Sequence, residues 1–338
     1  MNGRLARPAL QLGAPVLLLV LTAVVAGGLS QARQLEFGNA LVMVAIVVAL
    51  SVFVGNSGVI SFGHLSFAAA GGYLSGLLTI DPETKGFTMP GLFHVLAHTQ
   101  MGVVPSLALA AAAGGLYALI VGLPLMRLSG LPAGIATFAV LGITNNVLYY
   151  WGKVGPGAQT LSDIPESTIW GIAGGAIIAV VVAFAYQRSR WGRQLRATRE
   201  DAAAARASGI DVYRQRLVAF TVSGALAGLA GGLYVHQLGL ITPGQFYLDL
   251  TFVTLAMLVV GGTGSLWGAV VGALAISALN SFLGDAENTV HIGFDLTLPN
   301  GTRLVTVGAV MALVLILRPS GLTGGREFGL PRRRRRDA

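Results

Sequence analysis

Long apolar runs, interrupted by short polar or Gly/Pro breaks, recur along almost the whole chain. Read at helical period they predict ten helices: 10–29, 41–54, 64–78, 105–125, 134–150, 169–186, 217–238, 248–260, 266–283 and 304–317. A span needs roughly 20 apolar residues to cross about 30 Å of hydrocarbon, and fewer when it is glycine-broken or buried within protein. The run 10–29 meets that length outright. The pattern therefore predicts an all-α polytopic membrane protein of about ten transmembrane helices. No composition shift marks a second domain, so residues 1–325 read as one transmembrane unit and 326–338 as a basic tail.

Composition agrees with a bilayer solvent: of 338 residues, 54% are hydrophobic and only 11% charged, and the mean hydropathy is +0.72. Soluble domains carry about a quarter charged residues. The absence of cysteine excludes disulfides and thiolate metal sites. Arg4 and Arg7 precede the first run, but its 20 apolar residues exceed the roughly 7–15 of a signal-peptide core, so a retained first helix is expected.

Charge placement sets orientation and argues against a nucleic-acid partner despite the formal charge of +8. With a cytoplasmic N-terminus, the inner segments hold Arg4, Arg7, Arg127, eight arginines between 187 and 216, and Arg318, Arg326 and Arg332 to Arg336. Only Arg33, Lys85, Lys153 and Arg303 fall outside. Such segregation predicts cytoplasmic termini and an even number of spans. The arginine run at 332–336 also suits anionic lipid, at about 1 kcal/mol per residue near the surface.

The eight arginines of the island 187–216 surround Thr198-Arg-Glu-Asp-Ala-Ala-Ala-Ala-Arg-Ala-Ser-Gly209. Here Thr198 is expected to cap a docking helix of about three turns, Asp201 to complete a capping box, and Gly209 to close the end in a left-handed turn. Glu200 and Asp201 in the first turn and Arg206 in the last suit the helix dipole. A water-facing helix held between two spans is a place where another protein can push or pull.

Chemistry within the spans is sparse. His64, at the start of the third, and Asp249, at the start of the eighth, are the ionisable groups that stand out, too few for the relays that ion-coupled carriers keep in the membrane. No phosphate-binding loop exists, since the only lysines are Lys85 and Lys153, and no nucleophile–base pair or aspartate pair marks an enzyme. Polar and small residues cluster at the breaks instead. Asn56, Ser57, Ser61 and His64, then Thr137 and Asn145, then Thr263 and Ser265 are candidates for lining a path, although plain helix packing explains any single one equally well. Gly55-Asn-Ser-Gly58 and Gly261-Gly-Thr-Gly-Ser265 form a short echo of each other on the inner side.

Several segments together resemble the permease subunits of branched-chain amino acid ABC transporters, the LivH/LivM family, on its LivM-like side. They are Trp191-Gly-Arg-Gln-Leu-Arg-Ala-Thr-Arg-Glu-Asp201, Ala204-Ala-Arg-Ala-Ser-Gly-Ile210, the glycine-rich run from Phe220 to Tyr234, Val259-Val-Gly-Gly-Thr-Gly-Ser-Leu-Trp-Gly268 and Arg318-Pro-Ser-Gly-Leu-Thr-Gly324. Looser matches lie over 55–70 and 127–138. The chain departs from the family pattern at Arg206, where an acidic residue is usual, at Ser208, where leucine is usual, and at Pro132.

That resemblance implies a bacterial inner-membrane permease that is not an enzyme and binds no cofactor of its own. It implies a LivH-like second permease, two cytoplasmic ATPase subunits that bind the ATP, and an extracytoplasmic substrate-binding protein. Arg193, Arg196, Arg199, Glu200, Asp201, Ala204, Ala205, Arg206 and Gly209 would then meet the ATPase. Leucine, isoleucine and valine are the implied solutes, with urea or short amides as the alternative and an ATPase-independent channel or carrier as a third reading.

Overall fold

The computed structural model describes residues 2–287, 290, 291, 295, 296, 299, 301–318 and 320–328, so the arginine run at 332–336 lies outside the described residues. The helices run in order α1 (Asn2–Gly27), α2 (Gln31–Ser57), α3 (His64–Thr79), α4 (Pro82–Thr88), α5 (His94–His98), α6 (Val103–Leu125) and α7 (Leu131–Tyr150). After them come α8 (Ile169–Arg188), α9 (Arg190–Glu200), α10 (Ala202–Ala207), α11 (Val212–Leu238), α12 (Leu248–Gly261), α13 (Leu266–Glu287) and α14 (Thr302–Leu317). A two-residue hairpin, Val290–His291 against Asp295–Leu296, lies in the outer loop between α13 and α14.

Among the described residues, eight helical segments are long and apolar enough to cross a bilayer, α12 counting together with the 3-10 turn Pro243–Phe246 that leads into it. The other two expected spans are shorter: α3 has 16 residues and the apolar part of α14 runs only Val305–Val314. Length matters little for α3. Nearly all of its residues are buried by protein, and a helix wrapped by other helices meets no lipid.

The centre of the fold is built from close backbone approach. In lipid there is no hydrophobic drive between apolar helices, so tight packing of small residues takes its place. A Cβ added at Gly71 of α3 would lie 2.5 Å from Gly228 Cα of α11, and one at Gly114 of α6 would lie 2.5 Å from the Gly224 carbonyl oxygen of α11. No residue larger than glycine fits at either crossing. Against this seam stands α2, whose residues 41–57 are all buried, as expected of a helix that is apolar all round.

Polar groups fasten the outer loops. Lys85, fully buried in α4, donates to three carbonyl oxygens, of Leu77 (3.1 Å), Leu96 (2.9 Å) and Thr99 (2.7 Å), which ties the 79–104 loop to the end of α3. Burial lowers the pKa of this ammonium, and Asp81 partly restores it. His236 of α11, an ionisable residue inside a span that sequence reading passed over, is fully buried between the Pro165 carbonyl (2.8 Å) and Ser75 Oγ (2.9 Å), with Ser106 Oγ 2.8 Å beyond. It pins the 151–168 loop to α3, α6 and α11.

Candidate functional site

The island is two helices rather than one. Ser189 leaves α8 in an extended conformation and its hydroxyl accepts from Gly192 N (3.2 Å), which starts α9 nine residues earlier than Thr198 predicts. Thr198 is not a cap: it lies buried inside α9, with its hydroxyl donating to Leu195 O (2.7 Å). The capping box fails because Asp201 is itself the cap. At φ −151 its backbone is extended, and its carboxylate accepts from Ala203 N (2.7 Å) and Ala204 N (3.0 Å). Those two bonds, that from Ala204 foremost, lower the Asp201 pKa. Gly209 has φ +77, the left-handed turn expected of it.

Of the nine coupling residues, the structure separates a gripping face from a presented one. Arg199 donates to the Gly55 carbonyl oxygen, and Arg196 donates to Asn56 Oδ1 (3.0 Å) and to the Gln187 carbonyl oxygen (2.8 Å). Both arginines thereby hold the last turn of α2, and Arg196 also holds the end of α8. Burial lowers the Arg196 pKa, and Glu327 opposes the shift. The guanidinium still stays charged at any physiological pH. Arg193 donates to Arg188 O (2.8 Å), while Glu200, Asp201, Ala204, Arg206 and Gly209 face solvent and Ala205 is buried.

The expected path residues gather mostly at an inner junction. Asn56 is 2% exposed and held by Arg196; Ser57 Oγ accepts from Val59 N (3.1 Å); Thr137 Oγ1 accepts from Phe62 N (3.2 Å). Ser61 Oγ lies 2.8 Å from His64 Nδ1, and the His64 ring sits among Phe53, Phe67 and Phe220 at 5.4–5.8 Å between centroids. Thr263 presents its carbonyl oxygen 2.7 Å from where a Gly55 Cβ would stand, so the two echoing breaks touch. Ser265 Oγ accepts from Gly268 N (2.9 Å) at the start of α13. Asn145 is separate, donating to Pro243 O (3.0 Å).

Residues 320–328 close that junction from below. Leu322 N donates to Val260 O (2.8 Å), Thr323 Oγ1 to Gly261 O (2.9 Å), and the Glu327 carboxylate accepts from Leu266 N (2.8 Å) and Trp267 N (3.2 Å). A carboxylate on the first turn of α13 complements its dipole.

A wide polar cavity is lined by none of the eight path candidates. That cavity, of about 750 Å³, lies in the outer half between α2, α11, α12 and α13 and is lined by polar side chains including Glu36, Asn39, Asp249, Ser277, Asn280, Ser281 and Asp285. Arg33 donates to Glu36 and Asp285, each at 2.8 Å, and Ser281 donates to Glu36. Asp249 has no ion-pair partner among the described residues. Three carboxylates against one guanidinium leave the cavity electronegative. Sequence reading missed it, yet a signal was present: Ser277, Asn280, Ser281 and Asp285 recur at helical spacing on one face of an otherwise apolar α13.

Comparison with known proteins fits this geometry. The family model described as the permease component of branched-chain amino acid transport systems matches residues 32–317. The chain is 26% identical over 317 residues to the high-affinity branched-chain amino acid transport system permease protein LivM of Escherichia coli K12, covering 83% of this chain and 68% of that one. It is 34% identical over 189 residues to the autoinducer 2 import system permease protein LsrC of Klebsiella pneumoniae, covering 52% of each. No solved structure matches. The chain belongs to this family of permease components: a multi-pass protein of the bacterial cell membrane that serves transport and is not an enzyme.

Proposed function

We propose that this permease forms half of a translocation path for branched-chain amino acids, in an importer driven by two separate ATPase subunits that bind the ATP. A LivH-like permease supplies the other half, and an extracytoplasmic binding protein delivers the solute. The single observation that carries the reading is α2, which has one end at the cavity and the other in the grip of the island. Glu36, Asn39 and Met43 face the cavity, while Gly55 and Asn56 are held by Arg199 and Arg196. At about 1.5 Å per residue, the 27 residues of α2 carry displacement across about 40 Å.

Charge supports an amino acid as solute: the ammonium group of the zwitterion is attracted by the carboxylates at Glu36, Asp249 and Asp285, which urea meets only as hydrogen-bond acceptors. The stretch similar to LsrC covers about half of either chain and leaves that protein's solute as the second reading.

The deciding experiment is uptake into proteoliposomes that hold the full importer, with labelled leucine and labelled urea compared. Leucine uptake that needs ATP and is lost in the Arg196→Ala/Arg199→Ala variant is expected. Uptake that continues without ATPase subunits refutes the motor, and urea uptake alone refutes the solute.

A further inference from the structure

A second built pocket lies on the opposite side of the membrane from the acidic cavity. It measures about 330 Å³ and is lined by Arg190, Trp191, Gln194, Arg214 and Gln215, with Gly209, Ile210 and Asp211 forming the rest of its wall. The grip on α2 uses none of these side chains. Arg190 and Arg214 are exposed, and neither guanidinium has a hydrogen-bond or ion-pair partner among the described residues. Asp211 is the one carboxylate in the wall. It is occupied as the cap of α11, accepting from Arg214 N (3.1 Å).

Gln215 supplies an independent sign of a missing partner. The residue is 6% exposed, its side-chain amide N–H donates to Gln194 Oε1 (2.9 Å), and its side-chain Oε1 is buried with no donor among the described residues. A buried acceptor without a donor is costly, so a ligand that brings a hydroxyl there supplies the bond that the protein does not. Depth identifies the source. The spanning helix α8 ends at Arg188 and the spanning helix α11 begins at Val212, so residues 190 and 214 stand within a turn of the hydrocarbon boundary on the inner face. Trp191, 44% exposed, has the amphipathic ring that favours that layer.

We infer that this pocket binds the headgroup of an anionic glycerophospholipid of the inner leaflet. The phosphate lies between Arg190 and Arg214, and a headgroup hydroxyl of the phosphatidylglycerol type donates to Gln215 Oε1. Basic pockets beside spans on the cytoplasmic side suit such headgroups. The site does not depend on which solute is carried. Because Gly209 and Gln194 also belong to the island, an occupied pocket braces α9 against the start of α11.

The test is native mass spectrometry of the detergent-solubilised full-length chain titrated with phosphatidylglycerol, phosphatidic acid and phosphatidylcholine. Each interfacial arginine contributes a factor of about five in lipid affinity, so Arg190→Gln/Arg214→Gln is expected to weaken phosphatidylglycerol binding about 25-fold. The charge-matched control Arg127→Gln/Arg318→Gln should leave it within about twofold. Gln215→Leu keeps both charges and should abolish the preference for phosphatidylglycerol over phosphatidic acid, which keeps the proposal testable if the double variant does not fold. Equal loss in the control overturns the site in favour of general surface attraction. Displacement by 10 mM inorganic phosphate overturns it in favour of a soluble anion, and expulsion of the lipid by added ATPase subunits overturns it in favour of a protein contact.

Discussion

Severing the bond between Arg196 and Asn56 should loosen the inner end of α2 by an amount that a double-mutant cycle can isolate. Arg196 makes two charge-assisted bonds, at 3.0 Å to Asn56 Oδ1 and at 2.8 Å to Gln187 O, and only the first is shared with Asn56. A hydrogen bond to a charged group contributes about 1.5–3 kcal/mol, and Asn56, 2% exposed, has little access to water that could replace the lost donor. Bonds between helices in membranes average less, about 0.6 kcal/mol, which pulls the expected coupling toward about 1.5 kcal/mol. That is about tenfold in an equilibrium constant. Asn56 also donates to Val52 O (2.9 Å), but this bond is lost in both arms of the cycle and cancels.

Arg196→Gln, Asn56→Ala and the double variant should be unfolded from mixed micelles by rising SDS, with far-UV circular dichroism as the readout. Each single variant is expected to lose stability and the double variant to lose less than their sum. Additivity within about 0.4 kcal/mol would show that the two side chains do not hold each other. That result would also remove one of the two links between α9 and α2 on which the proposed coupling depends, leaving the Arg199 bond to the Gly55 carbonyl oxygen.

At Gly231, whose Cβ would overlap the Ala68 carbonyl oxygen, valine should abolish the yield of monodisperse protein, whereas Gly142→Ala, with open space around it, should change stability by less than about 0.5 kcal/mol. Gly209→Val places a β-branched residue at φ +77, at a cost of about 1–2 kcal/mol, and should reduce ATP-driven uptake with normal insertion; unchanged uptake refutes a coupling role for that turn. The Asp201 cap works only as a carboxylate whose folded pKa lies below its ordinary value. Its contribution is therefore full above the unfolded pKa near 3.8 and fades as pH falls through the lower folded value, with amide exchange of Ala203 and Ala204 as the measure. Glu36→Gln should raise the KM for leucine uptake more than it lowers kcat, because it weakens attraction for the ammonium group and leaves the α2 grip intact.

Hydrophobic runs located the helices well, since the lipid-facing surface and the buried helices α2 and α3 are alike apolar while the connecting segments are not. They failed where polar residues continue a helix. The run 41–54 marks only part of α2, because Gln31 to Asn39 includes Arg33, Glu36 and Asn39, and those residues are polar because the cavity lies beside them. At the inner breaks the sequence shows polar residues but not their partners. Asn56, Ser57, Ser61 and Thr137 stand out as path candidates in one dimension, and only three-dimensional packing reveals that their polar atoms meet Arg196, Val59, His64 and Phe62. In the island, Thr198 and Asp201 have the spacing of a capping box, and the competition was decided by Ser189, which starts the helix earlier, and by the carboxylate of Asp201.

The same contacts explain how a push on the island would reach the solute. Arg199 and Arg196 join α9 to the last turn of α2, and Gly55 in that turn packs on the Thr263 carbonyl between α12 and α13. Glu327, Thr323 and Leu322 bind the other side of that break, so α2, α12 and α13 meet in one knot on the inner face. Those three helices also carry most of the cavity wall. Between knot and cavity, α2 contains no proline, and its only glycine near the outer end is Gly38, so it transmits force without an obvious hinge. The α3–α6–α11 seam is too closely packed at Gly71, Gly114 and Gly228 to slide without overlap, and of it only Tyr234 reaches the cavity. In the proposed importer the seam is thus the stationary part. Widening or closing the cavity falls to α2, α12 and α13, and the bonds from Ser223 to Ala49 O and from Gln237 to Leu35 O, between α11 and α2, are contacts that such a movement must either carry along or break.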